Sequence, residues 1–219
     1  MAVLLPALRL VGWLALLSLG LPALAAPPPQ AFSARYHLQV DGWPDADIRH
    51  RLSHDGGTWQ SEMRTELPGA WGREWGRFRV AEDRVRALHY AAGYSLLGIQ
   101  RGYSLDRREL GALPDRQSAL VALARRAIGD ACSRDCPLHY RDHRGREAVL
   151  RYRVLGRDAL SLPLGRFERV RVALTEPGEA GKRLVLDLDA RRPGLLLALE
   201  YHRDGQRRSR LTLTALAEP

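Results

Sequence analysis

Apolar and polar positions alternate along most of this chain. In "FSARYHLQV", Phe32, Ala34, Tyr36, Leu38 and Val40 fall on one side and Ser33, Arg35, His37 and Gln39 on the other. A period of two is the signature of a half-buried strand. Asp41–Gly42 bends the chain. A second alternating run follows, with Ala46, Ile48, His50 and Leu52 inward and Asp47, Arg49 and Arg51 outward. "SHDGG", Ser53 to Gly57, is a hairpin signal. "TWQSEMRTEL" makes a less regular third strand carrying Trp59, Met63 and Leu67, and "WGREWGRFRV" a fourth. Glu82–Asp83 turns the chain into "RVRALHYAAGY", and "GIQRGYSLDRREL" continues as irregular sheet.

One stretch switches period. "DRQSALVALARRAIG" sets Leu120, Leu123, Ala124, Ala127 and Ile128 along one helical face, with Asp115 as N-cap and Gly129 as stop. Its apolar stripe suits a helix packed across a sheet; a short membrane-surface helix is the alternative. Alternation then resumes in "EAVLRYRVLG", "FERVRVAL", "KRLVLDLD", "LLLALEYHRDG" and "SRLTLTAL", with a hairpin tip at Asp204–Gly205. The expected fold is mainly β: a strongly curved or nearly closed antiparallel sheet with one amphipathic helix.

The N-terminus changes the picture. An early Arg9, an apolar run from Leu10 to Leu21 and the small residues Ala23 to Ala25 read as a secretory signal peptide over 1–25, cleaved after Ala25 or Ala26. The run is shorter than the about 20 residues of a stable span, and no later stretch can span as a helix. Residues 26–31, "APPPQA", form a stiff lead-in. Residues 32–216 then make a single β-rich domain. The expected location is the periplasm.

The formal net charge is +9. Lys182 is the only lysine, and the arginines are scattered among acids and apolar residues. No compact basic tract of a nucleic-acid binder is present, so nucleic acid is not an expected partner. "ACSRDCPLHYRDH" holds both cysteines. Cys132 and Cys136 can close a disulfide, remain free thiols, or join His139 and His143 around zinc. Export and the even count favour the disulfide, and the C-x3-C, H-x3-H spacing does not suit tetrahedral zinc. No metal or cofactor is expected.

The order of landmarks is familiar. "FSARYHLQVDGW", "LSHDGGTW", the helix entry with Asp115 and Ser118, "YRVLGRDALSLPLGRFERVRV" with Tyr152, Gly156, Leu164 and Gly165, and "RRPGLLLALEYHRDGQRRSRLTL" together resemble the DUF3108 family of exported bacterial proteins. The resemblance covers nearly all of the chain after the leader and is loosest from Tyr90 to Leu105. It implies an envelope location and a β-rich fold. It supplies no catalytic residues and no ligand.

Neither G-x-S-x-G, H-E-x-x-H nor a phosphate loop occurs. Aromatic residues crowd the first third of the domain, where a ligand cleft would use Trp59, Trp71, Trp75, Arg77, Phe78, Tyr90 and Tyr103. The expected function is reversible binding of a hydrophobic or lipid-like ligand, without chemistry. The alternatives are a structural or protein-interaction component of the envelope, and a hydrolase whose site is assembled from dispersed residues.

Overall fold

A computed structural model describes residues 27–82, 84–129 and 132–218. The expected signal peptide lies outside the described residues. Twelve strands and two helices follow one another: β1 (Phe32–Val40), β2 (Ala46–Asp55), β3 (Thr58–Leu67), β4 (Ala70–Ala81), β5 (Arg84–Leu96), β6 (Ile99–Leu105), α1 (Arg107–Leu110), α2 (Arg116–Gly129), β7 (Cys136–Arg141), β8 (Glu147–Leu162), β9 (Gly165–Thr175), β10 (Lys182–Asp189), β11 (Leu196–Arg203) and β12 (Gln206–Ala217).

All twelve strands belong to one sheet in the order β6-β5-β4-β3-β2-β1-β12-β11-β10-β9-β8-β7. Two six-stranded meanders therefore meet where the first strand pairs with the last, Leu38 opposite Leu211. Tight turns make the meanders possible. At the β2–β3 hairpin, Gly56 and Gly57 hold φ of 51° and 78°, values that cost glycine little and match the strand twist of a two-residue hairpin loop.

The expectation of a strongly curved or nearly closed sheet is overturned. The sheet is open, with β6 and β7 as its two edges and no backbone pairing between them among the described residues. The segment leading into α2 occupies β7's free side instead. The Arg141 N–H donates to the Pro114 carbonyl at 2.8 Å, and Asp115 bridges to Arg141. A partner for the edge comes from the helix lead-in, so closure is not needed to satisfy it. Pro137 sits on this edge strand, where a missing N–H is tolerated.

The single expected helix is accompanied by a second. Asp106 caps α1 by accepting from the Arg108 and Glu109 amides, while Glu109 reaches back to the Asp106 amide at 2.8 Å. This is a reciprocal capping box, within a stretch expected to be sheet-like.

α2 lies on one face of the sheet and touches β3, β4 and β5 from one half and β7 and β9 from the other. Cover from both sides buries more of it than one stripe. Val121, Ala122, Leu123, Ala124 and Ala127 are buried, whereas Leu120 and Ile128 are only half-buried. The main core joins these residues to Phe32, Tyr36, Leu52, Phe78, Val172, Leu188, Leu197 and Leu213. Even Arg125 is drawn in, donating to the backbone carbonyls of Glu82 and Pro27. That bond ties the proline-rich lead-in to the helix.

Cys132 and Cys136 form a disulfide. It closes the loop between α2 and β7, and the Val154 amide donates to the Cys132 carbonyl at 2.8 Å, fastening the loop to β8. Both sulfurs are thus consumed. His139 faces Glu147 at 3.3 Å and His143 packs edge-on against Tyr103. Replacing both cysteines by serine is expected to lower stability by about 2 kcal/mol, the chain-entropy value for so short a loop. Urea unfolding curves of the two proteins measure this. Equal midpoints would show that the bridge adds nothing.

Candidate functional site

Strand register sorts the aromatic and charged residues of β1–β6 onto two faces. On the helix-bearing face, His50, Met63, Glu74, Ala92 and Tyr103 lie side by side across five strands. Where α2 begins, this face is polar inside. Asp115 accepts from the Gln117 amide at 2.7 Å, the Ser118 amide at 3.0 Å and the Ser118 hydroxyl at 2.8 Å. It is the N-cap expected from the sequence, and it is fully buried. Loss of hydration disfavours its charge more than these donors favour it, pushing its pKa up to about 6.

The same network runs on into the sheet. The Ser61 hydroxyl donates to Gln117 Oε1 at 2.8 Å, so it accepts from His50 Nε2 at 2.9 Å. His50 Nδ1 is buried without a partner among the described residues. Burial drives the His50 pKa down to about 3, and the imidazole is neutral across the physiological range.

Beside this network lies a cleft of 490 Å³. Ile48, Met63 and Ala92 give it an apolar floor, and Glu74, Tyr103, Arg116 and His143 stand at its rim. Glu74 accepts from the Tyr90 hydroxyl at 2.9 Å and faces Arg116 at 3.4 Å. Burial and the adjacent Glu74 charge hold the Tyr90 phenol far above its ordinary pKa. Tyr103 is on β6, so the cleft opens directly beside the free edge of the sheet.

The seven residues expected to line one aromatic cleft are dispersed instead. Only Tyr103 borders the cleft. Phe78 belongs to the main core, and Tyr90 to a small cluster with Ala87, Leu105 and Leu110. Trp59 packs against the core and stacks on His54 with centroids 4.5 Å apart. Trp71, Trp75 and Arg77 point to the opposite face. There, Trp75 stacks on His89 at 4.9 Å, and Trp71 lies over Gly93, where its ring would sit 3.1 Å from a Cβ. Odd and even positions of β4 face opposite ways, so Trp71 and Trp75 cannot share a cleft with Phe78, which faces inward with Glu74 and Gly76.

The opposite face carries a feature that linear reading missed. Arg35, Arg49, Arg64 and Arg73 stand directly across from one another on β1 to β4. Like charges in such positions repel. Arg73 is held by Glu62 through two bonds of 3.0 and 3.1 Å, while Arg35, Arg49 and Arg64 make no ion pair among the described residues. No sequence signal marks this row, because its members lie on four separate strands.

Fold and cleft define the class: an open antiparallel sheet of two meanders with a helix laid on one face. The chain matches no protein-family model and no curated protein. Among solved structures it resembles a β-barrel-like protein of domain of unknown function DUF1849 from Brucella abortus. The two are 11% identical with a TM-score of 0.53, over 89% of this chain and 100% of that one. This is a likeness of fold. Weaker likenesses are to MucB in the Pseudomonas aeruginosa MucA/MucB complex (17% identity, TM-score 0.39, 86% of this chain) and to MucB by itself (15%, 0.40, 89%). The chain spans 53% and 56% of those two chains, and at these scores they define neither its fold nor its partner.

Proposed function

We propose that this chain is an exported envelope protein that holds a partner protein in the cleft beside α2 and along the free edge of β6, without chemistry of its own. The observation that carries this reading is the meeting of the apolar cleft with an unpaired strand edge at Tyr103. An extended segment added to β6 gains main-chain hydrogen bonds, and alternate side chains of that segment reach a neighbouring pocket. Export to the periplasm is supported by the leader pattern of residues 1–25 and by the disulfide, which belongs to an oxidising compartment. Membership of the DUF3108 family is part of the same proposal and rests on the order of the sequence landmarks.

A hydrophobic ligand is the second reading, favoured by the floor of Ile48, Met63 and Ala92. The hydrolase reading draws no support from the cleft, whose one lining carboxylate, Glu74, is held by Tyr90 and Arg116.

A photo-crosslinking residue at Tyr103, with a control at exposed Arg183 on β10, tests the proposal in the producing cell. A protein adduct at position 103 and none at 183 is the expected result. A lipid adduct alone at 103 transfers support to the ligand reading, and equal labelling at both positions removes the cleft from consideration.

A further inference from the structure

The large apolar side chains exposed on β1–β6 are not spread evenly. Trp71, Tyr94, Leu96, Leu97 and Ile99 gather where the β3–β4 and β5–β6 hairpins turn. The meander brings both turns to the same end of the sheet, and the Leu97 amide donates to the Gly69 carbonyl at 2.8 Å, joining the two tips. Leu97 is 82% exposed and Ile99 65% exposed. Leu97 also holds φ of 49°, a conformation that glycine or asparagine adopts at less cost.

Apolar groups occupy both faces of this tip. Strand alternation sets Tyr94, Leu96 and Ile99 on the helix-bearing face, beyond the end of α2, and Trp71 on the other. A flat protein partner covers one face of a hairpin. A bilayer surrounds an inserted tip on both.

Charge follows the same geometry. Arg73 lies two residues behind Trp71, and Arg101 two residues behind Ile99. Arg64 stands opposite Arg73. Two residues of strand span about 7 Å. The arginines therefore sit one step back from the apolar tip, within the about 5–10 Å by which interfacial segments enter the headgroup region. Arg64 and Arg101 make no ion pair among the described residues. Glu66, opposite Trp71, opposes contact with an anionic surface. On the neighbouring β1–β2 turn, Asp45 is bonded by His37 and Asp41 faces Arg208, while Asp47 opposes contact as Glu66 does.

We propose that the joined β3–β4 and β5–β6 tips dock on an anionic phospholipid bilayer, with Leu96, Leu97, Ile99 and Trp71 among the acyl chains and Arg64 and Arg101, which Glu62 does not engage as it does Arg73, at the phosphates. Tyr94, Arg64 and Arg73 also border the cleft, whereas Trp71, Leu96, Leu97 and Ile99 lie outside its lining, so a change at Leu97 tests the docking surface without altering the cleft.

Co-sedimentation with vesicles of phosphatidylcholine, with and without phosphatidylglycerol, tests it. The protein is purified after export, and intact mass confirms that the apolar leader is gone. Binding is expected to phosphatidylglycerol vesicles and to weaken with salt. Leu97→Asp is expected to lower that binding by about tenfold or more. Arg64→Gln is expected to lower it about fivefold, and Glu66→Gln to raise it by a similar factor. Leu97 is exposed, so the variant's melting temperature checks that folding is intact. Wild-type binding by Leu97→Asp, or absence of vesicle binding by the parent protein, overturns the proposal. Self-association that Leu97→Asp abolishes, without vesicle binding, overturns it in favour of a contact between two copies.

Discussion

Gly76→Ala is expected to destabilise the protein by about 3 kcal/mol, the largest effect of any single methyl group added to this fold. Gly76 lies on β4 between Ser61 and Tyr90, directly beneath the start of α2. A Cβ there would stand 2.6 Å from Asp115 Oδ1, 2.9 Å from Oδ2 and 3.0 Å from Cγ. The carboxylate cannot swing aside without leaving the Gln117 and Ser118 amides. Either the helix lifts from the sheet or the cap opens. An opened cap costs about 1–2 kcal/mol, and a strained interior a further 1–3 kcal/mol. The double variant Gly76→Ala, Asp115→Ala provides the check. With the carboxylate gone the new methyl has room, so the double variant is expected to lose less than the sum of the two single changes. Additive losses in urea unfolding would show that the clash is not with Asp115.

Acid is expected to weaken the fold at His50, a loss that Asp115 offsets until its own carboxyl is protonated in the unfolded chain. Its folded pKa of about 3 lies below the ordinary 6.5. A depressed histidine contributes stability that is complete above pH 6.5 and declines as pH falls toward about 3, because the unfolded chain takes up the proton first. The slope approaches about 1.4 kcal/mol per pH unit, which amounts to roughly 3 kcal/mol by about pH 4.

Asp115 acts in the opposite direction. Its folded pKa of about 6 lies above the ordinary 3.8, so its contribution is fully present below pH 3.8 and is lost as pH rises through about 6. Between these values the two residues offset one another, and stability is nearly level as far as they set it. Below that window only the His50 loss remains. Asp115→Asn keeps a capping side chain and removes the compensation. Relative to the parent, its stability is expected to fall by about 3 kcal/mol between pH 6 and pH 4. His50→Gln leaves the Asp115 contribution alone, so it is expected to gain about 3 kcal/mol over the same range while the parent stays nearly level. Urea midpoints across this range measure both, and parallel curves for parent and His50→Gln would rule out His50 as the acid-sensitive group.

These expectations join residues that a linear reading treated separately. Asp115 was legible as an N-cap because it precedes an apolar stripe, and His50 as an inward residue because it alternates with Arg49 and Arg51. Neither reading revealed that Ser61 and Gln117 connect them, since the connection crosses from β2 through β3 to α2. The α1 capping box was present as Asp106 and Glu109 in "LDRREL", but the helix is one turn long and lacks a stripe to mark it. The aromatic residues misled for a related reason. Their nearness in sequence implied one cleft, whereas strand alternation sends Trp71 and Trp75 to the face opposite Phe78 and Tyr90.

Local chemistry by itself determined where strands alternate, where glycine pairs turn the chain, where α2 begins and which cysteines pair. Each depends on a few adjacent residues: the period of side-chain direction, the φ a turn requires, the side chain that meets free amides, or two sulfurs four residues apart. Only the tertiary structure decided that the first strand pairs with the last, leaving β6 and β7 at the two edges and the lead-in to α2 beside β7. It alone set Arg35, Arg49, Arg64 and Arg73 in a row and brought the β3–β4 and β5–β6 tips together. Those outcomes depend on register and on which face α2 covers. Both follow from burying the apolar sides of strands far apart in the chain, which a local pattern does not encode.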